Sequence, residues 1–145
     1  ALERGEVVVT DRFLWSSRAY QGYGSGVPLD LLDGLEALSC GPTRPSLVIL
    51  VDVPVAVGLG RRAVGAKAEL TRFEDLSRHD QAFHQRVRDG YLAMAAADPD
   101  RWRVIDGDRP IEAIVPDVLA AALRFLADSE PNGDLLRING QTARR

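Results

Sequence analysis

LVILVDV, Leu47 to Val53, is the stretch on which the fold turns. Its apolar residues do not alternate with polar ones, which predicts a parallel strand covered on both faces. Asp52 sits where such a strand would end. Two further short runs share this character. EVVVT, Glu6 to Thr10, is β-branched and reads as a buried strand, and WRVID, Trp102 to Asp106, reads as a third. Helical spacing fills the intervals. A short helix fits Leu14 to Gln21, and the next runs from Pro28 to Leu38 with Leu31, Leu32, Leu35 and Leu38 on one stripe. Pro54 to about Arg62 reads as another, and Leu76, Phe83, Val87, Tyr91 and Met94 mark one from about Arg72 to Ala97. Ile111, Ile114, Val115, Val118, Leu119, Ala122, Phe125 and Leu126 mark a strongly amphipathic last helix. Strands alternating with helices predict an α/β layered fold around a parallel sheet.

Three strands are few for a sheet of this type, and the opening residues point the same way. ALERG reads as the last turn of a helix closed by Gly5 in the left-handed conformation. Both features predict further sheet-forming chain ahead of Ala1, so that the fold is expected to be incomplete at its N-terminus. A single domain over residues 1–128 is expected, with residues 129–145 as a flexible tail.

Bulk composition narrows the function classes. The 145 residues are 46% hydrophobic and 27% charged, which predicts a folded, soluble chain. A net charge of −3 and a pI near 5.4 argue against a generally basic nucleic-acid binder. Cys40 is the only cysteine, so no internal disulfide can form and the cytoplasm is the expected compartment. No apolar run approaches the roughly 18 residues of a membrane helix. His79 and His84 are not spaced for a shared metal on a helix and read as surface residues.

Ligands of parallel α/β sheets bind outside the carboxyl ends of the strands. Those ends carry Asp11 and Arg12, Asp52, and Asp106 with Asp108. An arginine at such an end suits a phosphate, because its planar fork makes two parallel hydrogen bonds that lysine cannot. Asp11 would orient that arginine or sit near a phosphate-bound magnesium; a plain structural Asp-Arg pair is the alternative. Ser17 and Gln21, four apart, share a helix face and can present donors and acceptors to a base edge, or serve only as surface polarity. Phe13, Trp15 and Tyr20 suit either base stacking or core packing. GYGSG, Gly22 to Gly26, lacks the Gly-Lys-Ser/Thr of a phosphate loop and reads as a turn near a ligand. Arg61, Arg62, Lys67 and Arg72 stand against the single acid Glu69. A basic segment of this kind suits a lid, at about residues 61–74, supplying charge to a polyphosphate, and equally a solvated loop.

Taken in order, ERGEVVVTDRF, SSRAYQGYGSG, LVILVDV, GLGRR, TRFE and QRVRDGYLAMAAADPDRWRVIDGDRPIEAIV resemble bacterial thymidylate kinase. The resemblance is colinear from about Leu2 to Leu126, and DRFLWSSRAYQG is its most specific element. It implies a P-loop nucleoside-monophosphate-kinase-like fold, a parallel sheet with flanking helices, usually homodimeric. The implied activity is transfer of the γ-phosphoryl group of ATP, with Mg2+, to dTMP, giving dTDP. By motif match Arg12 would contact the dTMP phosphate with Asp11 beside it near the magnesium. Ser17 and Gln21 would read the thymine edge, and Tyr20 would line the deoxyribose. Arg61, Arg62 and Arg72 would face ATP, Arg61 and Arg72 as lid arginines, and the Gly107 to Pro110 loop with Asp108 would approach the adenine. Partners in nucleic acid or membrane are not implied.

The sequence departs from that pattern in places. The family's phosphate-binding loop has no counterpart here, nor has the segment bearing its base-stacking phenylalanine and a second substrate arginine. The usual Asp-Val-x-Pro-Glu reads Asp52-Val53-Pro54-Val55-Ala56, and the lid's Asp-Arg-x-Glu reads Thr71-Arg72-Phe73-Glu74. Positioning and electrostatics supply nearly all catalysis in phosphoryl transfer, so these 145 residues alone are expected not to turn over. A non-catalytic nucleotide-binding or regulatory domain derived from the same fold is the alternative expectation.

Overall fold

The computed structural model describes residues 1–65, 81–129 and the backbone of 137–138 and 141–142; the side chains of 62–65 are not included. The chain opens with a 3-10 turn, Leu2–Arg4, which Gly5 closes at φ 70°, the left-handed cap read from ALERG. Helix α1, Leu14–Ser17, continues without a break into a π-helical stretch, Arg18–Gly24. Helix α2 spans Leu29–Cys40, β1 Val48–Asp52, α3 Val55–Gly65, α4 Gln81–Ala97, β2 Trp102–Asp106 and α5 Ile111–Ser129. Arg137–Ile138 and Gln141–Thr142 form a short antiparallel pair, β3 and β4.

Strands β1 and β2 pair in parallel, Val48 opposite Trp102 through to Asp52 opposite Asp106. Their carboxyl ends therefore place two aspartates side by side. Between them the chain passes through α3 and α4, so the predicted alternation of strand and helix holds for this pair. The third expected strand does not form: Glu6–Thr10 is irregular, and Val7, Val8 and Val9 are 64%, 55% and 90% exposed. Three β-branched residues are well suited to a ladder, but a strand exists only where a neighbour takes its N–H and C=O groups. Among the described residues no strand does so.

The core lies between the helices and one face of the sheet. Ala19, Val87, Met94, Ala95 and Trp102 are buried together, with Trp15, Tyr23, Phe83 and Tyr91 packed around them. Helix α4 approaches the π-helical stretch closely because a glycine meets the aromatic facing it: a Cβ on Gly90 would stand 2.5 Å from Cγ of Tyr23. The sheet is less covered than LVILVDV predicts, since Val51 and Val104 remain exposed. The predicted leucine stripe of α2 also splits: Leu32 is buried, while Leu31, Leu35 and Leu38 face out. Helix α5 turns a half-buried edge of Ile114, Val118 and Phe125 inward and leaves Ile111, Val115, Leu119 and Leu123 exposed. Its apolar residues surround more of the helix than β2 can cover.

Candidate functional site

The residues singled out by the sequence fall into two groups. In the first, Asp11 and Arg12 are exposed just ahead of α1, and the Thr10 hydroxyl donates to the Arg12 carbonyl at 2.9 Å. Arg12 does not pair with Asp11 among the described residues. Its guanidinium lies instead over the Tyr20 ring, 5.1 Å from the centroid, a cation–π placement that orients the charged fork without consuming its donors. Tyr20 in turn meets Phe83 edge-on at 6.2 Å, and Arg86 donates to the Gly24 carbonyl at 3.0 Å. Helix α4 thus fixes the segment that carries Arg12. Ser17 and Gln21 are both exposed on that segment. The neighbouring Ser16 is engaged, accepting a hydrogen bond from the Tyr91 hydroxyl at 2.9 Å. Burial raises the Tyr91 pKa and the Ser16 bond opposes the rise, so the phenol stays neutral.

That GYG belongs to the π-helical stretch rather than to a turn corrects the reading of GYGSG. The last turn widens, with Ser25 N–H bonding the Tyr20 carbonyl and Val27 N–H the Gln21 carbonyl. A π-helical insertion of this kind often accompanies function, and neither propensity nor periodicity signals it.

The second group stands at the carboxyl ends of β1 and β2. Arg61 of α3 donates to the Gly107 carbonyl at 2.7 Å and to Asp108 Oδ1 at 3.3 Å. Two residues read separately as facing the same ligand, 47 positions apart, therefore meet. Asp108 N–H bonds Asp106 Oδ1 at 2.9 Å, and Gly107 N–H bonds the Asp52 carbonyl at 2.7 Å. The Asp52 side chain is gripped by Arg88 of α4, both bonds at 2.7 Å. That contact raises the Arg88 pKa further above its ordinary value. Asp52 is legible in the sequence as the end of a strand, whereas Arg88 is not; its only local signal is a cation on the helix that carries the apolar stripe of α4. Lys67, Arg72 and His79 lie outside the described residues, as does the side chain of Arg62.

A cleft of about 350 Å³ opens elsewhere, lined in part by Trp15, Arg18, Glu36, Arg44 and Arg101. Of the residues that the sequence singles out it contains only Trp15, whose ring packs edge-on against Trp102 at 5.4 Å, and its cations are already engaged. Arg18 pairs with Asp33 and stands 3.6 Å from Glu36, Arg44 donates to the Gly41 and Thr43 carbonyls, and Arg101 to Asp98 and the Pro45 carbonyl. For magnesium, no group of three His, Cys, Asp or Glu side chains converges among the described residues. Mg2+ in phosphoryl transfer takes one or two carboxylates together with phosphate oxygens and waters, and the exposed Asp11 suits that limited role. No described helix is long and apolar enough to cross a membrane.

Comparison with known proteins agrees across most of the chain. It is 48% identical over 118 residues to thymidylate kinase of Geobacter sp. (strain M21), covering 77% of this chain and 50% of that one. It is 46% identical over 123 residues to that of Geobacter sulfurreducens, 82% and 58% covered, and 47% identical over 126 residues to that of Thermomicrobium roseum, 87% and 58% covered. The chain thus spans about half the length of the curated relatives it matches. The family model for thymidylate kinase matches residues 1–118, which include Arg12 on Tyr20 and Arg61 on the Gly107 loop, and the chain belongs to the thymidylate kinase family.

Proposed function

We propose that the complete protein transfers the γ-phosphoryl group of ATP to dTMP, giving dTDP. The observation that carries this reading is the match of residues 1–118 to the thymidylate kinase family, which includes the whole DRFLWSSRAYQG segment. In this reading Arg12, held over Tyr20, takes the dTMP phosphate, Ser17 and Gln21 read the base, and Tyr20 lines the sugar. Asp11 stands beside the phosphate and would be the residue that holds the phosphate-bound magnesium. Arg61, Arg62, Arg72 and Asp108 serve the ATP side. The protein acts as a homodimer in the cytoplasm on these two nucleotides.

The finer fold assignment belongs to the same proposal: a P-loop kinase sheet to which β1 and β2 contribute and which further strands complete. The exposed Val7, Val8 and Val9 support it, because a β-branched run facing water is the surface such a strand would cover. The 145 residues contain no G-x-x-x-x-G-K-[ST] to cradle the β and γ phosphates, so on this reading they do not turn over alone.

The test is ADP release by the complete protein with MgATP and dTMP, dUMP or dCMP as acceptor. Turnover preferring dTMP is expected. Nucleotide binding without ADP release would instead support the non-catalytic domain, and preference for another acceptor would reassign Ser17 and Gln21.

A further inference from the structure

We propose that Arg61 is a positioning residue: it serves the nucleotide site by holding the Gly107–Arg109 loop in place, and does not itself bind phosphate. This rests on the reading that the loop faces ATP. Arg61 Nη1 donates to the Gly107 carbonyl at 2.7 Å, and Nη2 to Asp108 Oδ1 at 3.3 Å and to the Arg109 carbonyl at 3.5 Å. One guanidinium thus spans three consecutive residues, matching the fixed fork of its donors to a curved backbone. Swinging away toward a phosphate would strip the carbonyl of the buried Gly107 of this donor.

The rest of the loop is braced to accept that grip. Gly107 N–H reaches the Asp52 carbonyl at 2.7 Å, and Arg109 bonds the Asp106 carbonyl at 3.0 Å and Asp117 at 2.6 Å. Gly107 is pressed against β1 so closely that a Cβ would stand 2.6 Å from Val53 Cγ2 and 2.7 Å from Val51 Cγ1. Asp52 is in turn locked by Arg88. The result is a continuous line of hydrogen bonds, Arg88 to Asp52 to Gly107 to Arg61, joining α4, β1, the β2–α5 loop and α3 across the carboxyl edge. Without Arg61, the β1 and α5 contacts remain, but no described side chain from α3 restrains the carbonyl side of the loop.

The experiment compares wild type, Arg61→Ala and Arg61→Lys in the complete protein by two readouts. Amide hydrogen exchange at Gly107 and Asp108 reports the loop directly, and steady-state kinetics separate KM for ATP from kcat. Arg61→Ala is expected to speed exchange at these amides about tenfold and to raise KM for ATP by about tenfold, with kcat within about threefold. Arg61→Lys, which can reach the Gly107 carbonyl with one N–H, should recover part of both effects. Unchanged exchange at 107 and 108 overturns the proposal whatever the kinetics. So does a loss of about a thousandfold in kcat, the mark of an arginine acting on the transferred phosphate. A wild-type protein that does not phosphorylate dTMP overturns the functional reading, and the loop's nucleotide role with it, while the exchange data still decide whether Arg61 holds the loop.

Discussion

Arg88 closes its Nε and Nη2 donors on the two carboxylate oxygens of Asp52, each at 2.7 Å, and so ties helix α4 to the carboxyl end of β1. Both side chains are largely shielded from water, with 29% and 18% exposed. Shielding strengthens the attraction and raises the cost of losing either partner. Arg88→Ala should destabilise the fold by about 1.5–3 kcal/mol. Arg88→Lys should recover only part, since an ammonium cannot reproduce the parallel pair. Urea denaturation measures both, and a double-mutant cycle with Asp52→Asn should give a coupling of at least about 0.5 kcal/mol. Additive single effects would remove the pair from the account.

Two glycines in helices should respond in opposite directions. Gly90→Ala puts a methyl 2.5 Å from Tyr23 Cγ, and overpacking of this kind costs about 1–3 kcal/mol. A methyl added at Gly58 in α3 would meet nothing within 4 Å, so Gly58→Ala should stabilise the helix by about 0.5–1 kcal/mol. Thermal melts of the two variants are the check. A Gly90→Ala variant as stable as wild type or more so would refute the close packing of α4 on the π-helical stretch, and a destabilising Gly58→Ala would refute the open surface at that position.

Glu36 should impose a pH dependence. Its side chain is about nine-tenths buried, and Oε1 has no hydrogen-bond partner among the described residues. Burial raises its pKa above the ordinary 4.5, an effect that Arg18 opposes without cancelling. The folded state therefore holds the proton more tightly than the unfolded chain. The stability this contributes is fully present below the ordinary carboxylate range and is lost as pH rises through the higher folded value. Glu36→Gln removes that slope. The variant should be more stable than wild type by about 1 kcal/mol at pH 7, with the advantage shrinking toward pH 4. A difference that does not change with pH would mean that Glu36 is not a strained carboxylate.

Arg12 and Gln21 can be separated kinetically in the complete protein, on the proposed dTMP kinase activity. Arg12→Lys keeps the charge but loses both the fork and much of the stacking on Tyr20. It should lower kcat/KM for dTMP about tenfold to a hundredfold. Gln21→Ala, at an exposed position, should narrow the preference for dTMP over dCMP while leaving the melting temperature within about 2 °C. Unchanged kinetics for Arg12→Lys would take that residue out of the site.

Much of the candidate site is legible in the sequence because its members occupy positions that local rules mark. Asp52 and Asp106 end strands, and the structure sets them opposite each other. Arg12 follows the run EVVVT, and Tyr20 lies eight residues on, near enough for the two to stack. Arg61 and Asp108 share one expected ligand on motif grounds alone, and their contact follows from the fold. Arg88 and Glu36 are not legible as partners of anything. Their pairs form over 36 positions to Asp52 and 18 to Arg18, between elements whose mutual rotation no local pattern encodes.

Local order along the chain suffices for the backbone periods: strands at LVILVDV and WRVID, helices between and after them, the Gly5 cap, and the motif order that marks the family. Which of these segments find neighbours is settled by tertiary packing. EVVVT has every local attribute of a strand and is not one here, because a ladder needs hydrogen-bonding partners that no described segment supplies. LVILVDV does pair, yet Val51 stays exposed, because burial depends on what is packed above it. GYG is part of a π-helical stretch against which α4 presses through Gly90 and Tyr23. Propensity and periodicity are properties of neighbouring residues, whereas ladders, covered faces and arginine grips belong to segments that only the folded chain brings together.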